Sequence, residues 1–278
     1  DAIHRSAVDD VLNPLTSKPM TPEEVNHARR QHNLPLDSGA ETEQPVQPKQ
    51  EPMNFRITDD DLGAGGAKTK FKANIEAIRL LQTLDAEQRQ ATAEEQEVLS
   101  RYVGWGGLPQ AFDPDNESWK QEYAQLKEIL TDAEYRAARG TVTDAFYTSP
   151  EIAGAMYQAL SQFGFTKGNI LEPSMGIGNF FGSMPKEMER NCQLYGVEKD
   201  DISGRIARLL YPKADIRIAG FETVDYEDNF FDAVIGNVPF GDFKLYDRKH
   251  NAMEFKVHDH FIAKSIDHCL LYTSDAAD

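Results

Sequence analysis

The chain has 278 residues, 40% of them apolar and 27% charged, enough for one sizeable core with polar appendages and too apolar for a chain disordered throughout. Its 46 acidic against 29 basic side chains leave a net charge of −17, the wrong sign for gripping nucleic acid by counterion release alone, so any DNA contact must be local or come from a segment outside this sequence. No apolar run reaches the ~18 residues of a membrane span, the polar start Asp1-Ala2-Ile3-His4-Arg5 has no signal-peptide core, and Cys192 and Cys269 give neither metal spacing nor a disulfide framework; a soluble, cytoplasmic protein is the expectation.

Residues 1–52 read as the tail of a preceding region followed by a linker. A first residue that is Asp rather than Met agrees with a piece of something longer. Thr21-Pro22-Glu23-Glu24 combines a capping-box Thr and Glu with proline at the first helical position, which predicts a helix start. From Asp37 to Pro52 the chain lacks the apolar residues that would offset ordering entropy, so a disordered linker is predicted there.

Residues 53–140 read as a helical region. Phe71, Ile75, Ile78 and Leu81 recur at helical spacing within a helix predicted from Lys68 to about Leu84, and a second runs from Thr92 to Tyr102 until Gly104-Trp105-Gly106-Gly107-Leu108-Pro109 ends it. A third runs from Ser118 to Leu130, and Thr131-Asp132-Ala133-Glu134 is a capping box opening a short helix that stops at Gly140. Gly63-Ala64-Gly65-Gly66-Ala67-Lys68-Thr69 has Ala67 where a phosphate loop needs glycine, and no strand precedes it, so nucleotide triphosphate binding is rejected there.

After Gly140 the rhythm changes. Short apolar runs at 169–172, 193–198, 216–218 and 231–236 alternate with helical patterns at 150–162, 179–190, 201–210 and from about 258. This alternation predicts an α/β fold, a doubly wound Rossmann-like parallel sheet over residues 141–268.

Glu172-Pro173-Ser174-Met175-Gly176-Ile177-Gly178-Asn179-Phe180 follows the first strand and opens a helix, where glycines let backbone approach a ligand. Gly176, Gly178 and Gly182 are spaced one residue too long for the dinucleotide fingerprint, which disfavours a nicotinamide enzyme. Glu172 at the strand end suits a cationic ligand group, and Glu198, twenty residues after Gly178, stands where a carboxylate accepts ribose hydroxyls. Together they suit a nucleoside with a positively charged amino-acid tail; the plainer alternative is that the glycines only make a tight turn.

Asn237-Val238-Pro239-Phe240 follows the fourth strand at the carboxyl edge, where open α/β sheets place their chemistry. With Ala145-Phe146-Tyr147-Thr148-Ser149-Pro150 before the glycine turn and this tetrapeptide after it, the sequence resembles γ-type N6-adenine DNA methyltransferases, as in type I modification subunits. Val103-Gly104-Trp105-Gly106-Gly107 and Gly236-Asn237-Val238-Pro239-Phe240-Gly241 resemble more closely the methylase region of very large conjugative-element and phage proteins, which often carry a helicase region downstream.

The resemblance implies a class I methyltransferase core, S-adenosyl-L-methionine as cofactor and double-stranded DNA as partner, bound largely through parts beyond His268. It makes Asn237 and the Val238 carbonyl acceptors for an exocyclic amine, with Pro239 completing the motif and Phe240 stacking on a flipped base. Val238 replaces the commoner proline, but the carbonyl it offers is the same. Tyr147, Thr148 and Pro150 would flank the methionine end of the cofactor, Glu172, Pro173, Gly176, Gly178 and Glu198 would hold it, and Phe221 and Glu222 would contact its adenine. The alternatives are a methyltransferase acting on RNA bases or protein glutamine amides, and an inactive scaffold.

Other features carry less. His258-Asp259-His260 lacks further ligands at useful spacing and reads as a solvated helix start; no metal is expected. Nothing activates Cys192, and Trp105 reads as packing the helical region. Arg248, Lys249 and His250 reach either phosphates or only solvent. Residues 269–278 resemble a reading-frame translation of a sequencing-library adapter, so native sequence is expected to end near His268 with the sheet incomplete.

Overall fold

The computed structural model describes residues 52–59, 62–142 and 148–270, together with His27. The predicted helix start at Thr21, the linker as far as Glu51, Tyr147 and residues 271–278 lie outside the described residues. The chain divides after Glu51, and the sheet and the helices around it all belong to the unit that starts at Pro52.

Helix α1 (Ala67–Glu87) buries Phe71, Ile75, Ile78, Leu81 and Leu84 along one stripe. Helices α2 (Ala93–Leu99) and α4 (Asp132–Gly140) both open on complete capping boxes, Thr92 with Glu95 and Thr131 with Glu134, while α3 (Lys120–Ile129) lies between them. Trp105, 1% exposed, sits at their centre with ring centroids 6.1 Å from Phe71, 6.4 Å from Tyr102 and 5.4 Å from Phe112. It therefore packs the helical layer and offers no face to a base.

Helix α5 (Pro150–Gln162) starts from the Ser149 cap, with Pro150 at the first position, where a missing N–H costs nothing. Strands β1 (Gly168–Glu172), β2 (Cys192–Glu198), β3 (Asp215–Ile218) and β4 (Ala233–Val234) form one parallel sheet in the order β3-β2-β1-β4. The helix expected over 179–190 is two single turns, α6 (Asn179–Gly182) and α7 (Lys186–Glu189), because Pro185 between them has no amide hydrogen to continue the ladder. Helix α8 (Asp201–Leu210) runs as predicted from the Asp200 cap, and α9 (Val257–His268) follows the long loop after β4. The β4 ladder is shorter than the expected 231–236, although Asp232 and Ile235 still pair with Asn169 and Leu171 at its two ends. Beyond α9, Cys269 lies parallel to Phe231 and the Leu270 N–H donates to the Phe231 carbonyl (2.7 Å), on the side of β4 away from β1.

Adjacent strand residues point to opposite faces, and both faces are covered. Ile170, Leu194 and Ala233 join the core that contains α1, α2, α8 and Trp105, whereas Leu171, Val197 and Val234 pack in a second cluster with Phe221, Val257 and Phe261. The result is an α/β, doubly wound Rossmann-like sheet. No helix among the described residues is long and apolar enough to cross a membrane.

Candidate ligand cavity at the carboxyl edge of the sheet

A cavity of about 420 Å³ opens where β1, β2, β3 and β4 end. The turn after β1 forms its floor. Gly176 takes φ +56°, a left-handed conformation that glycine adopts at least cost, and its N–H donates to Glu198 Oε2 (2.7 Å). Glu198 Oε1 accepts from the Asp200 N–H (2.7 Å), so one carboxylate stitches the β1 turn to the end of β2. Burial raises the Glu198 carboxyl to about 7, against the lowering effect of those two N–H groups.

Glu172 is buried beneath this turn at 2% exposure, and its Oε2 has no hydrogen-bond partner among the described residues. Burial, reinforced by the charge of Glu198, pushes its carboxyl well above the usual carboxylate range. An orphaned buried acid facing a cavity is a group that a cationic ligand would satisfy.

The tetrapeptide closes the other side. The Ser174 hydroxyl donates to the backbone carbonyl of Asn237 (2.8 Å), tying the motif to the β1 turn, and Asn237 and Val238 both line the cavity. Phe240 is 69% exposed at the mouth, its ring centroid 6.1 Å from that of His258. An exposed aromatic at the mouth of a cavity offers a stacking surface.

Of the residues singled out from sequence, Thr148, Glu172, Pro173, Gly176, Glu198, Phe221, Glu222, Asn237, Val238, Pro239 and Phe240 all line this cavity. Gly178 and Pro150 do not. At Gly178, φ +88°, a Cβ would lie 2.5 Å from the Tyr211 ring, so this glycine makes room for core packing rather than for a ligand, and Pro150 begins α5. Sequence reasoning missed the wall supplied by the helical layer, Tyr102, Gly104, Gly140 and Thr141, and the wall of Phe243, Leu245, Val257 and Phe261. The signal for the first wall was present in Val103-Gly104-Trp105-Gly106-Gly107. Asn74, fully buried on α1, holds that turn with both ends of its amide, donating to the Gly104 carbonyl (2.5 Å) and accepting from the Val103 N–H (2.8 Å).

The charged loop after the motif is largely engaged internally. Lys249 pairs with Asp228 and Asp267 (3.0 Å each), and His250 is buried between Asp247 and Asp267, so these two are not free for phosphates as one sequence reading allowed; Arg248 is exposed. His260 is not solvated either: it is buried, 2.9 Å from Asp247, while His258 on the neighbouring helix face stays half-buried. Asp247, His250 and His260 bring potential ligand atoms within 4.8 Å of one another, but the Lys264 ammonium lies 3.0 Å from Asp247 Oδ2 and already supplies the positive charge. Burial raises the Cys192 thiol, the opposite of activation.

No family model matches the chain. Over 176 residues, 63% of the chain, it is 30% identical to Defense against restriction protein B of Escherichia phage P1, and spans 6% of that protein's length. Among solved structures it is similar to a proposed class I S-adenosylmethionine-dependent methyltransferase of Listeria monocytogenes (16% identity, 71% of this chain and 70% of that one, TM-score 0.40). It is also similar to the methyltransferase subunit of a type I restriction-modification system of Streptococcus thermophilus (11% identity, 73% and 66%, TM-score 0.39).

Proposed function

We propose that this chain contains the methyl-transferring region of an S-adenosylmethionine-dependent enzyme that methylates adenine N6 in DNA, within a larger mobile-element protein carrying a helicase region downstream. The observation that carries the reading is the meeting of Glu172, Glu198 and Asn237-Val238-Pro239-Phe240 on one cavity at the carboxyl edge of the sheet. The residues fit the cofactor: Glu172 has a buried carboxyl oxygen with no hydrogen-bond partner among the described residues, which a cationic amino-acid tail would supply, and Glu198 lines the same cavity, where its carboxylate would take the ribose hydroxyls. When bound, the cofactor supplies an electrophilic methyl group on sulfur.

The residues of the chain then handle the nucleophile. An exocyclic amine is weak because its lone pair is conjugated with the ring. Hydrogen bonds from the amine to the Asn237 amide oxygen and the Val238 carbonyl draw its hydrogens out of the ring plane and localise that pair on nitrogen. Phe240 stacks on the extruded base and fixes the line of attack, so that positioning carries most of the rate. Glu172 and Glu198 would hold the cofactor while that methyl group passes to the amine nitrogen, leaving a neutral thioether, and the Asn237 amide oxygen and the Val238 carbonyl hold the amine hydrogens until one is lost to water as a proton. The name of the phage relative, a defence against restriction, agrees with a DNA substrate.

Incubation of the larger protein that carries this region with S-adenosylmethionine and duplex DNA, followed by nucleoside analysis, tests the proposal. We expect N6-methyladenine from the natural protein and a loss of about a hundred- to a thousandfold in N237A. Calorimetric affinity for sinefungin should stay within about twofold in that variant. Methyl transfer only to RNA bases or glutamine amides would replace the substrate, and sinefungin binding without transfer to any of them would replace the enzyme with a scaffold.

A further inference from the structure

The loop 241–256 begins directly after Phe240 and returns to the cavity wall at Val257, whose N–H donates to the Phe243 carbonyl (3.0 Å). It is organised around one buried carboxylate, Asp247. The Asp247 carbonyl accepts from the His250 and Asn251 N–H groups, its Oδ1 from the Lys249 N–H, and its Oδ2 faces His260 and Lys264. Burial alone would raise this carboxyl; the hydrogen bonds from Lys264 and His260 outweigh burial and hold it far below the usual range.

Lys264 is 5% exposed on α9 and has a second set of contacts. Its ammonium donates to the backbone carbonyl of Glu222 (3.3 Å) and lies 5.3 Å from the centroid of the Phe221 ring. Phe221 and Glu222 line the cavity on the β3 side, the side assigned above to the nucleoside of the cofactor. An ammonium has three hydrogens, and a buried one must place them well or lose several times the worth of an ordinary hydrogen bond. These contacts therefore move together: a ligand that shifts or fixes Phe221 and Glu222 acts on Lys264, and through it on Asp247 and the loop.

We propose that Lys264 is a positioning residue that couples occupancy of the cofactor side of the cavity to the order of loop 241–256, which carries the cavity-wall residues Phe243 and Leu245. The inference rests on the cofactor reading above, and the coupling is reciprocal, so substrate held by the loop tightens the cofactor. Lys264 touches neither ligand and acts through Asp247 and the Glu222 carbonyl.

Hydrogen exchange on the full chain with and without sinefungin tests it. In the natural chain sinefungin should slow exchange at the Gly176–Phe180 turn and, by about fivefold or more, in loop 243–256. K264M keeps the aliphatic stem and removes the charge; D247N removes the other partner. Each should retain slowing at the turn and reduce the loop's response to less than about twofold. A role in structure alone would speed loop exchange equally with and without ligand and leave the ratio unchanged. Loop slowing that survives in the variants overturns the proposal, as does a natural chain protected at the turn but not in the loop, a result that holds even if neither variant folds. No slowing at either place and no heat of sinefungin binding overturns the cofactor reading itself, and the coupling with it.

Discussion

Glu198 is the residue on which the site's pH dependence turns. Its two oxygens already hold the Gly176 and Asp200 N–H groups, which favours the charged form, yet burial wins and the carboxyl titrates at about 7. Accepting ribose hydroxyls requires the carboxylate, so in the ligand-free protein part of the population must release a proton before it binds. Affinity for sinefungin should therefore rise by up to about tenfold per pH unit between about 5 and 7 and level off above, and calorimetry in buffers of different ionisation enthalpy should show proton release. E198Q should bind more weakly and abolish most of the slope, the remainder belonging to Glu172, whose burial moves it in the same direction. Stability of the ligand-free chain runs oppositely. A folded value above the ordinary 4.5 means that the Glu198 contribution is fully present below about 4.5 and lost as pH rises through about 7. A binding slope unchanged in E198Q would remove Glu198 from the site.

Helix α1 shows an element acting on the cavity from a distance. Asn74 is a polar residue in a helix interior, and only its two bonds to the Val103-Gly104 backbone, both buried, explain it. N74A leaves a carbonyl and an N–H without partners, so unfolding in urea should show a loss of about 2–3 kcal/mol. Sinefungin affinity should fall as well, because the loosened Gly104 turn is a wall of the site; a variant that loses stability while binding normally would limit Asn74 to packing. This is also where reading by sequence ended. Helix α8 was legible because its apolar pattern is local, and the sheet's strands and the edge carrying Asn237 followed from alternating apolar runs; the Asp200 cap that fixes the start of α8 is seen in the structure. The break at Pro185 was written in the sequence and passed over. Pairs such as Asn74 with Gly104, or Asp247 with Lys264, leave no periodic trace, since their meaning lies in separations of 30 and 17 residues that only the folded chain closes.

At the scale of the whole unit, the helical layer and the sheet share one apolar core that runs from Phe55 through Leu81 and Trp105 to Ile170 and Ile206. Polar contacts follow the same seam. Gln96 on α2 donates to the Leu209 carbonyl (2.9 Å), the Phe55 N–H donates to the Leu210 carbonyl (2.7 Å), and Arg205 on α8 pairs with Asp85 on α1. The exposed part of that ion-pair cluster is worth little, but the buried apolar area is not, so the two layers should unfold as one. The tryptophans provide a direct reading, because Trp105 and Trp119 both lie in the helical layer whereas most of the proposed cofactor contacts lie on the sheet. Sinefungin at a hundred times its dissociation constant stabilises by about 2.7 kcal/mol, which for a unit of this size raises the midpoint by roughly 5–10 °C. If the layers are one cooperative body, the tryptophan fluorescence transition moves by that full amount and coincides with the transition in far-ultraviolet circular dichroism. If they are separate, the fluorescence midpoint stays where it is while the sheet's transition moves, and the helical wall of the cavity would then be a neighbour of the site rather than part of it.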